Sequence, residues 1–137
     1  MNYIFSAIFL YFFLGFLLYI FQRRIVFNKS GHPGAPKDYN LDNTEEVYIK
    51  TEDNLKLLSW YHKGNNSLPL LVYFHGNSFH IGDRAYRIQR YIEKNWSVLL
   101  VSWRGFGGNK GNPTEKNLYK DAEAVLKWIK NNTEFKF

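Results

Sequence analysis

Apolar residues follow four successive rhythms along the chain. The first is an unbroken, charge-free run at residues 3–21, Tyr-Ile-Phe-Ser-Ala-Ile-Phe-Leu-Tyr-Phe-Phe-Leu-Gly-Phe-Leu-Leu-Tyr-Ile-Phe. As a helix rising 1.5 Å per residue it spans roughly 28 Å, about the thickness of a bilayer core. The second rhythm is alternation. Glu45-Glu46-Val47-Tyr48-Ile49-Lys50 predicts a half-buried strand, Glu52-Asp53-Asn54 a turn, and residues 55–61 the returning strand of a hairpin. The third is a pair of short solid runs, Leu68-Pro69-Leu70-Leu71-Val72-Tyr73-Phe74 and Val98-Leu99-Leu100-Val101, which predict buried strands. Pro69 belongs at its strand's beginning, because it cannot donate to a ladder. The fourth rhythm is helical. Over residues 82–95, Ala85, Ile88 and Ile92 share one face and Arg84, Arg87 and Arg90 the other. Further on, Leu118, Ala122, Val125 and Ile129 form a stripe at spacings of four, three and four. Asn112-Pro113-Thr114-Glu115 is read as the opening of that last helix, with Pro113 in the first turn and Glu115 at its positive end.

Each solid run stops at a polar loop bearing glycine, His75-Gly76-Asn77 after the first and Trp103-Arg104-Gly105-Phe106-Gly107-Gly108 after the second. Strand, helix, strand is a βαβ unit, and sites in open α/β sheets form beyond the carboxyl ends of the strands. The expected architecture is therefore α/β: an N-terminal transmembrane helix, then a partial sheet of about four strands with two helices. The domains divide as an anchor at 1–22, a linker at 23–44 and the α/β domain at 45–137. In the linker, residues 25–28 look extended and Gly31-His32-Pro33-Gly34-Ala35-Pro36 is turn-rich.

Charge sharpens the first element. Every charged residue lies at or after Arg23, and Met1-Asn2 lacks the basic start of a signal peptide, so a retained single-pass anchor is expected. Arg23, Arg24 and Lys29 follow the span, which favours a cytoplasmic C-terminal domain. The net charge of +6 is spread singly along helices and loops, a solvated surface that argues against nucleic acid and suits anionic lipid headgroups instead. The absence of cysteine excludes disulfides and thiolate metal sites, and the four histidines sit in loops and at a strand end with no metal-ligand pattern.

The motifs together resemble the α/β-hydrolase family, in particular its membrane-anchored serine hydrolase branch. The resemblance is carried by the anchor with its Pro-rich linker and hairpin, by Tyr73-Phe74-His75-Gly76-Asn77 with Ile81-Gly82-Asp83-Arg84, and by Trp103-Arg104-Gly105-Phe106-Gly107 with Gly111, Pro113, Leu118-Tyr119 and Asp121-Ala122-Glu123-Ala124. It implies that the loop His75, Gly76, Asn77, Ser78 forms part of an oxyanion hole, with Asn77 and Ser78 at the hole and His75 holding the loop. It also implies that Arg104, Gly105, Phe106 and Gly107 shape the pocket floor, and that the chemistry is acyl-ester or thioester hydrolysis without a cofactor. Two positions depart from the pattern: Ser78-Phe79-His80 stands where small residues are usual, and Ser102 where an aspartate is common.

Such chemistry needs a serine on a Gly-x-Ser-x-Gly elbow, followed by an acid and a histidine. The nearest string, Gly76-Asn77-Ser78-Phe79-His80, lacks the second glycine and lies in the oxyanion-type loop. No catalytic residue is therefore assigned. The expectation is an N-terminal fragment of a hydrolase, inactive alone, whose strand at 68–74 is left as an open apolar edge. Two alternatives stand beside it: half of a split hydrolase completed by a second chain, or a membrane-anchored binding module that uses the open edge.

Overall fold

The computed structural model describes residues 2–29 and 31–135. Met1, where the expected anchor starts, and Phe137, where the expected domain ends, lie outside them. The first helix, α1 (Asn2–Val26), continues past the expected limit at residue 22. Ile25 and Val26, read as extended, are helical, because the apolar register runs on and the Phe27 amide closes a last turn on the Arg23 carbonyl (3.0 Å). From Tyr3 to Val26 the helix is long and apolar enough to cross a membrane, and none of that segment is buried against the rest of the chain.

The stretch after the helix carries more structure than a linker. β1 (Asn28–Lys29) is a two-residue strand, and Pro36–Tyr39 form a 3₁₀ turn. Pro33 and Pro36 are buried, and the Tyr39 hydroxyl donates to the Pro33 carbonyl (2.6 Å). The tyrosine ring lies against Trp60, which anchors this proline-rich segment to the sheet.

The hairpin is β2 (Thr44–Lys50) and β3 (Lys56–His62). The two solid runs are β4 (Leu70–Phe74), with Pro69 just before it, and β6 (Ser97–Val101). The sheet order is β2-β3-β6-β4, with β3 antiparallel to β2 and β6, and β4 parallel to β6. β6 is buried along its whole length, whereas every residue of β4 is half-buried. A central strand must be apolar on both faces, so β6 reads as a continuous run. Among the described residues β4 has no strand on its other side.

Between them, residues 82–95 are not one helix. Ile81–Arg84 form a 3₁₀ turn and α2 (Ala85–Ile92) follows. His80 accepts from the Asp83 amide while Asp83 accepts from the His80 amide, a reciprocal cap that fixes the tighter turn. Gly82 leaves room there for the Tyr39 ring, which a Cβ would run into. Asn95, at φ 62°, turns the chain away after the helix.

The last helix, α3 (Glu115–Asn132), starts later than expected. Thr114 is its cap, accepting from the Asn117 amide (3.2 Å), and Pro113 precedes the helix rather than entering its first turn. The buried face of α3 is Asp121, Ala124, Val125 and Ile129, while Leu118 and Ala122 are half-buried. The two helices cover opposite faces of the sheet. Ala85 and Ile88 of α2 pack with Leu58, Trp60, Val98 and Leu100, and Val125 and Ile129 of α3 with Ile49, Leu57, Leu99 and Val101.

Candidate functional site

The parallel pairing of Phe74 with Val101 brings the ends of β4 and β6 side by side, so the loops that leave them meet. The Trp103 amide donates to His75 Nε2 (3.3 Å), and the Trp103 indole donates to the His75 carbonyl (2.8 Å). Phe74 stacks on Trp103 with ring centroids 4.5 Å apart, and Phe106 meets the His75 ring edge-on at 5.0 Å. His75 is 3% exposed, and its Nδ1 makes no hydrogen bond among the described residues, although the Gly76 carbonyl interacts with the ring. Burial pushes its pKa down to about 4, against the opposing pull of that carbonyl, so the imidazole is neutral at neutral pH. Its Nε2 is already an acceptor, which leaves no free lone pair for a general base.

The second loop is locked by charge. Arg104 is buried, and its side chain reaches two carboxylates: Nε lies 2.8 Å and Nη2 2.7 Å from Asp121, and Nη1 lies 2.7 Å from Asp53. Its amide also donates to Asp121 (3.1 Å). Burial opposes the Arg104 charge, but Asp121 and Asp53 outweigh it and raise its pKa. Bonds from the guanidinium, and then from the Thr51 hydroxyl, hold Asp53 well below the usual carboxylate range. Asn109 completes the turn. Its Oδ1 accepts from the Leu58 amide (2.9 Å), and its Nδ2 donates to the carbonyls of Ser102 and Trp103 (2.9 and 3.2 Å). Gly105, at φ 77°, has its amide on the Asn109 and Lys110 carbonyls, and a Cβ there would sit 2.9 Å from Pro113. Ser102 is buried and donates to the Phe106 carbonyl (3.3 Å).

The sequence reading named Arg104, placed Asp53 in a turn and Asp121 in a motif of the resemblance, and linked neither to Arg104. Asp53 and Asn109 carried no pattern. Asp121 did, since it is an acidic residue beside the apolar stripe of a helix, where a carboxylate stays only if it is paired.

The His-Gly-Asn loop is held from outside. Ser78–Phe79 form a short strand, β5, which pairs in parallel with β1 through Asn28↔Ser78 and Lys29↔Phe79. The Asn77 side chain donates to the Val26 carbonyl (2.8 Å), and Arg84 donates to the Ser78 carbonyl (3.4 Å). Phe79 has φ 65°, the left-handed region, and is half exposed. Gly76 and Asn77 are exposed, and their amides donate to no acceptor among the described residues. Among the described residues the loop therefore presents unpaired backbone N–H groups beside a neutral histidine whose acceptor nitrogen is occupied. Among the described residues no three His, Asp or Glu side chains converge in a way that could hold a metal ion.

No family model matches the sequence. Curated relatives do. The chain is 32% identical over 127 residues to the protein bem46 of Schizosaccharomyces pombe, covering 85% of this chain and 42% of the relative. An alpha/beta hydrolase domain-containing protein of Arabidopsis thaliana is 27% identical (86% and 41% covered), and an uncharacterized membrane protein of Saccharomyces cerevisiae 28% identical (85% and 43% covered). Among solved structures, an esterase of Pyrococcus furiosus superposes with a TM-score of 0.62 at 28% identity, over 77% of this chain and 42% of that one. With the half-sheet, the two loops and these likenesses together, the chain belongs to the α/β-hydrolase family. It spans about two fifths of the length of the curated relatives it matches.

Proposed function

We propose that these residues supply the oxyanion side of a membrane-anchored serine hydrolase and hydrolyse nothing by themselves. The observation that carries this reading is the exposed Gly76-Asn77 backbone, with amides that have no acceptor among the described residues, at the end of a strand next to a rigid second loop. In acyl transfer a carbonyl oxygen becomes negative, and a preorganised N–H at that point stabilises it. The Asn77 amide is the donor we assign. Ser78 is drawn into the pairing with β1 and is no nucleophile: the one histidine on this loop that is buried has its acceptor nitrogen occupied by Trp103. The sequence contains no Gly-x-Ser-x-Gly, so attack on an acyl ester or thioester awaits a serine, an acid and a histidine from elsewhere.

Anchoring is supported by the unburied apolar helix, by the basic residues that follow it and by the yeast relative named as a membrane protein. The basic residues Arg23, Arg24 and Lys29 after the span favour a cytoplasmic globular part by the positive-inside rule. The test is to reconstitute the chain in lipid nanodiscs and offer short acyl esters and a fluorophosphonate probe. Neither turnover nor labelling is expected, and hydrolysis accompanied by covalent labelling would refute the inactive reading.

A second reading, completion by another chain, is favoured by the open side of β4. Its test is gentle extraction from native membranes followed by fluorophosphonate labelling of whatever co-purifies. A labelled partner with a Gly-x-Ser-x-Gly sequence is the expected result, and its absence counts against this reading.

A further inference from the structure

A cavity of about 470 Å³ lies where α1 meets the globular part, lined by Arg23, Arg24, Phe27, Lys29, Asn112 and Pro113. The geometry points to a seat for the phosphate of an anionic phospholipid headgroup, an inference that rests on the reading of α1 as a membrane span. Three cations border one cavity. Arg23 is fixed, its Nη2 donating to the Pro113 carbonyl (2.9 Å). The Lys29 ammonium lies beside the second loop, 3.2 Å from where a Cβ on Gly105 would stand. Phe27, edge-on to Phe106, gives the cavity an apolar wall. Among the described residues no carboxylate oxygen lies within 4.0 Å of Arg23, Arg24 or Lys29. Elsewhere the chain does provide partners: Arg104 has two, and Lys120 has Glu52 at 2.7 Å. Like charges gathered without counterions repel one another, and an anion from outside offsets that repulsion.

The location selects the anion. Arg23 and Arg24 occupy the last turn of α1 and Lys29 follows three residues after its end, so in a bilayer all three stand at headgroup depth. The apolar wall suits the glycerol and first methylenes below a phosphate, and the arginines suit its oxygens. Inorganic phosphate shares the oxygens but has nothing to place on Phe27.

The experiment uses the full chain in phosphatidylcholine nanodiscs containing a minor fraction of phosphatidylglycerol. Lipids retained after mild detergent release are counted by native mass spectrometry. Retention of phosphatidylglycerol over phosphatidylcholine is expected. It should fall about fivefold for each cation removed in Arg24→Gln and Lys29→Gln, and should be unchanged in a Lys37→Gln/Lys63→Gln control with the same loss of charge. Equal loss in the control, or none in the pocket variants, overturns the site. A second arm adds inorganic phosphate to phosphatidylcholine discs and follows phosphorus NMR. Binding that needs Arg24 and Lys29, with no preference for phosphatidylglycerol, overturns the lipid source and leaves a soluble phosphate site. An alkaline carbonate wash of the expressing membranes tests the anchor separately. Release of the chain refutes the span and the headgroup together, whereas a retained chain without lipid preference refutes the pocket alone.

Discussion

The two loops at the carboxyl ends of β4 and β6 are neighbours built on opposite principles. The Arg104 turn is closed: its charge is answered by Asp53 and Asp121, its carbonyls by Asn109, and its ring at Phe106 is buried. The His-Gly-Asn loop is open. It has exposed backbone, a phenylalanine in the left-handed region, and supports borrowed from the segment that leaves α1. A buried network is stabilising only when every member is satisfied, which the turn achieves. In the oxyanion role proposed for it, the loop has to keep donors unsatisfied, so its order comes from neighbours. His75 joins the two, since it belongs to the open loop but is held by Trp103 of the closed one.

The largest way to break this contrast is to unlock the closed loop. Asp121→Asn leaves the buried guanidinium with one carboxylate and should cost about 3 kcal/mol, read from thermal and denaturant unfolding by tryptophan fluorescence. Asp53→Asn should cost clearly less, because the Asp53 side chain is 34% exposed and water can replace part of its interaction. Equal losses would mean that the buried and exposed halves of the network are not distinct.

Acid tests the junction. The His75 pKa is depressed in the folded state to about 4, so the unfolded chain takes up the proton first. Stability is then full above the ordinary histidine value of about 6.5 and is lost as pH falls from there towards 4, by roughly 3 kcal/mol. His62, also pushed down by burial, acts in the same direction. Asp53 has a lowered pKa, so its contribution is present above the ordinary carboxylate value and is lost only below about pH 4. Unfolding measured across this range should therefore decline in two stages, and His75→Gln should flatten the upper one. A single decline confined below pH 4 would contradict the burial argument for His75.

The smallest effect sharpens the open side. Phe79→Gly removes the cost of a left-handed phenylalanine, about 1–2 kcal/mol, at an entropic cost of about 0.5–1 kcal/mol. Half exposed, the ring gives up little burial. A gain of about 0.5 kcal/mol is expected, measured by the same unfolding assay. A clear loss of stability would show that the ring packs more strongly than its exposure suggests.

Much of the fold was legible because burial leaves a period in the sequence. The solid runs marked β4 and β6, alternation marked β2, and the helical stripes marked α2 and α3. The errors cluster where side-chain bonds override the period. The His80–Asp83 cap converts the start of one predicted helix into a 3₁₀ turn, and Thr114 takes the cap position that Pro113 was expected to pass through. The β1–β5 pairing left no signal, because two-residue strands are too short to show alternation.

What the sequence determined by itself is the set of elements, the apolar helix, and the two glycine-bearing loops with their His75 and Arg104, since each depends on neighbours within a few residues. Only the tertiary structure decided what those residues do to each other. Asp53 lies 51 positions from Arg104, and Asn77 51 from Val26, distances at which no local pattern links two side chains. Strand pairing brings them together, and the resulting burial and bonding decide which loop is locked by charge and which keeps its amides unpaired among the described residues.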